Sequence, residues 1–201
     1  MISEVVLVPG LWMPGTVMAV MAWRLRRAGF ETRCFTYSGR DSLEANLERL
    51  ARSIEGRAAH LVGHSLGGVL VYDLLRHRAS IPCANVVLLG APVRGCFAGR
   101  RFGTRALGRW MLGGCAPRWR ERDATWRRRE PLGVIAGTRV FGLARALGSL
   151  PGENDGVVRL EETTIEGMSE RVLVREPHSM LPVSADVAHL VQQFLRRGTF
   201  A

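Results

Sequence analysis

"HLVGHSLGGVLVYDLL", residues 60–75, runs from one apolar stretch through Gly63-His64-Ser65-Leu66-Gly67 into a second apolar stretch of different period. A serine between two glycines, with a strand before it and a helix after it, has the context of a nucleophile elbow. Such a turn lifts one side chain above a sheet and brings backbone and helix close together. The flanking positions must then lack bulk, as Gly63, Gly67 and Gly68 do. Ser65 would stand at a helix start, where free N–H groups and the helix dipole favour the negative charge that develops in acyl transfer. A glycine-rich strand–helix turn with a capping serine explains the same residues, so the motif needs support from the rest of the chain.

Outward from this junction, strand and helix signals alternate. Residues 4–8, EVVLV, form an apolar β-branched run stopped by Pro9-Gly10, which predicts a central strand buried on both faces. Val17, Val20, Met21, Arg24, Leu25 and Ala28 have helical spacing over 16–28, before Gly29. Residues 31–37, ETRCFTY, alternate as a strand. Asp41 followed by Glu44 gives a capping-box-like start, and Leu43, Leu47, Leu50 and Ile54 mark the apolar face of a helix ending near Gly56. The pattern continues with a strand over 59–63, a helix over 66–78, a strand over 85–90, a long arginine-rich segment, strands over 132–137 and 171–175, and a helix over 185–197. Such alternation implies right-handed crossovers and a mostly parallel sheet of about six strands with helices on both faces, a three-layer α/β fold. Reactive groups then gather at the carboxyl ends of the strands. No repeat, linker or internal boundary is visible, and 201 residues at 47% hydrophobic suit a single domain, 1–201.

Serine at its ordinary pKa is a poor nucleophile and needs a base held by an orienting acid. His178, in LVREPHSML, follows the last predicted strand and precedes the last helix, where a loop histidine reaches back over the sheet. Asp155, in GENDGVV, lies in a turn-rich segment after the preceding strand. The chain order Ser65, Asp155, His178 is that of this architecture. His60 lies in a strand, His64 within the elbow, and His77 and His189 on predicted helices, so they are poorer bases. An aspartate in Asn-Asp-Gly is ordinarily turn chemistry, and Glu153 and Asp186 remain as alternative acids. Two donors are needed for a developing oxyanion: the N–H of Leu66, after the nucleophile, and one from the loop after the first strand, for which Leu11 is the candidate. Trp12, Met13 and His64 are the expected substrate-contacting residues, with Trp12 and Met13 walling an apolar acyl site.

The segments VLVPGLW, HLVGHSLGGVL, VVLLGAPVRG, GVIAGTR, PGENDGVV and EPHSML resemble the α/β-hydrolase superfamily, in particular its small lipase- and esterase-like members without a large cap domain. The Asn-Asp-Gly-Val segment looks like the acid loop of lipase and inositol-deacylase-like hydrolases. The resemblance covers nearly the whole chain. It implies a serine nucleophile, an acyl-enzyme and hydrolysis of carboxylic esters, often lipid esters, without a cofactor. It carries Ser65, Asp155 and His178 over as the triad, with Leu66 and Leu11 as donors. Pro9-Gly10 stands where many relatives have His-Gly, and the sheet lacks the antiparallel leading pair of larger relatives. A thioesterase or acyltransferase using the same triad, and a non-catalytic binding scaffold, are the rival readings.

All 28 basic residues are arginine, and the formal net charge is +10. Residues 100–129 hold ten arginines against Glu121 and Asp123, interleaved with Phe102, Leu107, Trp110, Met111, Leu112, Trp119 and Trp126. An insertion after the fourth strand, 97–130, is where such folds carry a lid. A basic, aromatic lid suits phospholipid headgroups or an anionic membrane surface, whereas a solvated helix pair explains the same composition. No nucleic-acid module accompanies the arginines, which argues against a nucleic-acid partner. Val5 to Trp23 is uncharged over about the length of a membrane span, but Pro9-Gly10 and Pro14-Gly15 cut it. Glu4 and the lack of an early basic residue disfavour a secretory leader, so a cytoplasmic protein, peripheral to the inner face of the membrane, is expected. Cys34, Cys83, Cys96 and Cys115 then read as free thiols filling small apolar sites. No HExxH, P-loop or GxGxxG appears, so neither metal nor cofactor is implied.

Overall fold

The computed structural model describes residues 2–11, 13, 15–106, 110, 113–114, 120–141 and 150–201. Six parallel strands form one sheet: β1 (Glu4–Val8), β2 (Glu31–Cys34), β3 (Ala59–His64), β4 (Cys83–Leu89), β5 (Leu132–Gly137) and β6 (Glu170–Val174), in the order β2-β1-β3-β4-β5-β6. The interior strands are short, and β1, β3 and β5 are almost wholly buried, as covering both faces requires. The chain starts in the interior at β1, steps to the edge at β2, and returns past β1 to β3. This reversal leaves a crevice at the carboxyl ends of β1 and β3.

Among the described residues the α-helices are α1 (Gly15–Arg27), α2 (Leu43–Ile54), α3 (Leu66–His77), the short α4 (Phe97–Gly103) and α5 (Ala185–Arg197). Strand alternation splits the core into two clusters. Val6, Val8, Leu61, Val86 and Leu88 pack with α2 and α3, while Val5, Leu7, Val62, Val87 and Ile135 pack with α1 and α5. This is the expected three-layer arrangement. The buried stripe of α1 is Met18, Met21, Ala22 and Leu25; Val20, placed on that face by sequence, is exposed, because Met18 and Ala22 complete the i, i+3, i+4 set around Met21 and Leu25. The cap of α2 is Ser42, whose hydroxyl accepts from Ala45 N, rather than Asp41, which pairs with Arg49 at 2.7 Å.

Of the lid-like insertion expected over 97–130, residues 107–109, 111, 112 and 115–119 lie outside the described residues. Its return, 120–130, is bound along α3. Tyr72 Oη donates to Thr125 O and accepts from Thr125 N, and Arg122 pairs with the fully buried Asp73 at 2.7 Å. Arg128 donates to the carbonyls of Arg78, Ala79 and Ile81 just past the end of α3, and to Glu130 at 2.6 Å. Among the described residues no helix is long and apolar enough to cross a membrane. Cys96 is buried and its thiol pushed up to about 12 by that burial, whereas Cys34 is exposed, contrary to a uniformly buried set, because it ends the edge strand β2. Cys115 lies outside the described residues.

Candidate active site

Register brings the strand ends level: Val8 lies beside Gly63, His64 beside Leu89, and Gly137 beside Val174. Loops leaving β1, β3, β5 and β6 therefore meet above the carboxyl end of the sheet. Ser65 is the hinge between β3 and α3, and its backbone has φ 52° and ψ −125°. It is the only residue other than glycine with positive φ among the described residues. Its N–H is tied to Leu89 O at 2.9 Å. The flanking glycines permit the crossing: a Cβ on Gly67 would lie 2.2 Å from Pro9 O, and one on Gly63 would lie 2.5 Å from Gly68 Cα. Because α3 rests directly on the end of β1, the loop from Pro9 to Leu11 is drawn beside the serine. A Cβ on Gly10 would come within 3.1 Å of Ser65 Cβ.

His178 starts a 3₁₀ turn four residues after β6, and Asp155 sits in a tight turn between β5 and β6. His178 Nδ1 lies 2.7 Å from Asp155 Oδ2, and His178 Nε2 lies 3.0 Å from Ser65 Oγ. The second carboxylate oxygen of Asp155 accepts from Val157 N and Val158 N at 3.0 and 2.8 Å. Asp155 is 1% exposed. With the carboxylate accepting, Nδ1 carries the imidazole proton and Nε2 is left to accept from the serine hydroxyl. A main-chain bond from His178 N to Asp155 O, 3.0 Å, fixes the two loops to each other.

His64, expected to contact substrate, lies beneath this group instead. It is 1% exposed, and its Nε2–H donates to the carbonyl of His178 at 3.1 Å. Residues 63 and 65 face the elbow, so the side chain between them points to the opposite side of the strand end, under the last loop. Burial, with the neighbouring His178 adding to it, holds the imidazole well below its ordinary pKa, so it stays neutral. Its Nδ1 is buried without a partner among the described residues and faces Gly10.

The N–H of Leu66, first in α3, and that of Leu11 are donated to no described residue. Leu11 and Met13 line an open cavity of about 440 Å³ that continues past Tyr37 and Ser38 to Arg40 and Trp110. Trp12 lies outside the described residues. The alternative acids Glu153 and Asp186 are both exposed. His60 accepts from Asn85 N near the opposite end of the sheet, and His77 bonds the carbonyl of Asp73 within α3. Sequence reasoning missed Tyr37, Ser38 and Arg40 as cavity residues. Their only signal is the sheet order, which sets the loop after β2 next to the loop after β1. Among the described residues no group of three His, Cys, Asp or Glu side chains is disposed to hold a metal ion.

Known proteins match this architecture. Residues 5–198 match the sequence profile of the alpha/beta hydrolase family. No curated protein sequence matches the chain. Among solved structures, the mature form of a lipase from Bacillus licheniformis is similar over 98% of this chain and 92% of its own, with TM-score 0.77 and 17% identity. A pyrethroid hydrolase from Sphingobium faniae is similar over 98% of both chains at TM-score 0.68 and 13% identity. A monoacylglycerol lipase from Paleococcus ferrophilus aligns with 98% of this chain and 95% of its own, at TM-score 0.62 and 16% identity. Identities this low speak for the fold alone, and it is the profile, spanning β1 to the end of α5, together with that fold, that makes this chain a member of the alpha/beta hydrolase family.

Proposed function

We propose that the protein is a serine hydrolase of carboxylic esters, of lipase or esterase type, working through an acyl-enzyme on Ser65. The observation that carries this reading is the unbroken hydrogen-bonded series from Asp155 through His178 to Ser65, at 2.7 and 3.0 Å. His178 Nε2 takes the hydroxyl proton as Ser65 Oγ adds to the ester carbonyl. Asp155 holds the imidazolium that forms. The negative charge on the former carbonyl oxygen is received by the N–H groups of Leu66 and Leu11, the first reinforced by the N-terminus of α3. Collapse breaks the bond to the alcohol, which leaves with the proton from His178 Nε2. Water then gives a proton to the same nitrogen as it adds to the acyl carbon, and collapse breaks the bond to Ser65 Oγ, which takes that proton back from His178 Nε2 as the acid leaves.

Two lipases and a pyrethroid hydrolase among the structural neighbours are in keeping with this chemistry and leave the ester open. The test is fluorophosphonate labelling of purified wild type beside Ser65→Ala, read by intact mass, with 4-nitrophenyl acetate turnover measured on the same samples. One adduct on wild type and none on Ser65→Ala, with turnover lost in the variant, is expected. Wild-type turnover in a folded Ser65→Ala or His178→Ala protein overturns the assignment.

A further inference from the structure

The cavity begins at the loop after β1, whose Gly10 packs against Ser65, and its lining mixes apolar side chains with hydroxyls and one charge. Leu11 and Met13 line it from the loop after β1, Tyr37, Ser38 and Arg40 from the loop after β2, and Trp110 stands against Arg40. Arg40 is the only charged side chain lining it among the described residues. Its guanidinium carbon stands 5.3 Å from the centre of the Trp110 ring, and the group makes no ion pair with any described residue. The neighbouring Asp41 is taken by Arg49. The residues outside the described set contain no aspartate or glutamate, so no carboxylate side chain there neutralises Arg40.

The backbone that carries Arg40 is held in place. Ser38 O accepts from the fully buried Asn46 at 2.8 Å, and Ser38 Oγ accepts from Arg40 N at 3.2 Å. Gly113 and Gly114 lie directly on Gly39 to Ser42, where a Cβ on Gly113 would meet Gly39 O at 2.3 Å. A guanidinium with one face on an aromatic ring keeps its N–H donors in the plane, directed outward, in the fork that matches a carboxylate.

The direction of the reaction tells which part of an ester reaches this cavity. The departing alcohol must collect its proton from His178, on the β6 side of Ser65. The cavity lies on the other side, between the loops after β1 and β2. The acyl group, not the alcohol, therefore extends toward Arg40.

We infer that the preferred substrates are esters whose acyl chain is apolar near the carbonyl and ends in an anionic group, such as a half-ester of a dicarboxylic acid, with Arg40 and Trp110 receiving that group. This rests on the serine-hydrolase reading and adds the substrate class to it.

The experiment compares mono(4-nitrophenyl) adipate with 4-nitrophenyl heptanoate, a neutral chain of similar length, on wild type, Arg40→Gln and Arg40→Glu. The expected result is a fall of about tenfold or more in the adipate-to-heptanoate ratio of kcat/KM in Arg40→Gln and a further fall in Arg40→Glu. Salt near 0.5 M should raise KM for the adipate ester alone. An adipate-to-heptanoate ratio unchanged by Arg40→Gln overturns the inference. Loss of both activities in Ser65→Ala tests the underlying reading separately. Calorimetric binding of the adipate ester to Ser65→Ala, with and without Arg40→Gln, reads the anion contact without turnover, and equal affinity also overturns it.

Discussion

Ser65 sits at φ 52° and ψ −125°, a region that costs a residue with a Cβ about 1–3 kcal/mol. The surroundings hold it there through Leu89 O on one side and the glycine contacts on the other. Glycine adopts this backbone freely but loses more chain entropy on folding. Ser65→Gly is therefore expected to stabilise the fold by about 1 kcal/mol in urea unfolding while abolishing turnover; a destabilised variant would show that the elbow carries no strain. His64 supplies a second prediction. Its imidazole is held neutral below its ordinary value near 6.5, so below that pH the unfolded chain takes up a proton that the folded chain refuses. Stability is complete above about pH 6.5 and falls as pH drops, by about 1.4 kcal/mol per pH unit for each such histidine. His60, depressed by burial in the same direction, adds to the slope. In His64→Gln, which keeps a donor for the His178 carbonyl, the loss between pH 7 and 5 should be smaller than in wild type; equal slopes in the two proteins would show that His64 is not the proton acceptor.

Helix α3 is where the elements of the site are secured, and much of the fastening comes from the arginine-rich segment. Arg122 reaches the fully buried Asp73 in the middle of the helix, and Arg128 gathers the carbonyls past its end. Arg122→Met removes the ion-pair partner of the buried Asp73 carboxylate and should cost about 3 kcal/mol or more. Asp73→Leu together with Arg122→Met should recover most of that loss, because two apolar groups need no partner; a double variant as unstable as the single one would place the cost elsewhere. This role was hidden in the sequence, where ten arginines in one stretch read as a charged surface. Nothing local to residues 120–130 says that they return along a helix formed far earlier in the chain. The elements themselves were legible, since β5 and α5 follow from apolar runs and periodicity alone. Local competition decided the misplaced cap: Asp41 and Ser42 are both capping residues, and Asp41 was drawn off by Arg49.

For the whole molecule, the distribution of charge matters more than its sum. Arg100, Arg122 and Arg128 are paired with Glu121, Asp73 and Glu130, while Arg101, Arg105, Arg120, Arg127 and Arg129 are exposed and form no ion pair among the described residues. Vesicles containing phosphatidylglycerol should retain the protein at about 20 mM salt and release it near 0.5 M, with no retention on neutral phosphatidylcholine. Retention unaffected by salt would mean that apolar insertion, not charge, holds the protein. The three residues gathered at the strand ends were nameable from sequence because each stands beside a local signal, a glycine-flanked turn or a loop after a strand. The Arg40 cavity was not nameable, since it exists only where β2 lies beside β1 and Trp110 returns to them. The Ser65–His178 contact spans 113 residues, and its imidazole arrives with the last strand of the sheet. If Ser65 is the nucleophile we propose, it and its helix can form during refolding before His178 is docked, so reactivity toward a fluorophosphonate becomes a clock for the docking of β6, lagging the recovery of helical signal by the time that this final non-local pairing takes.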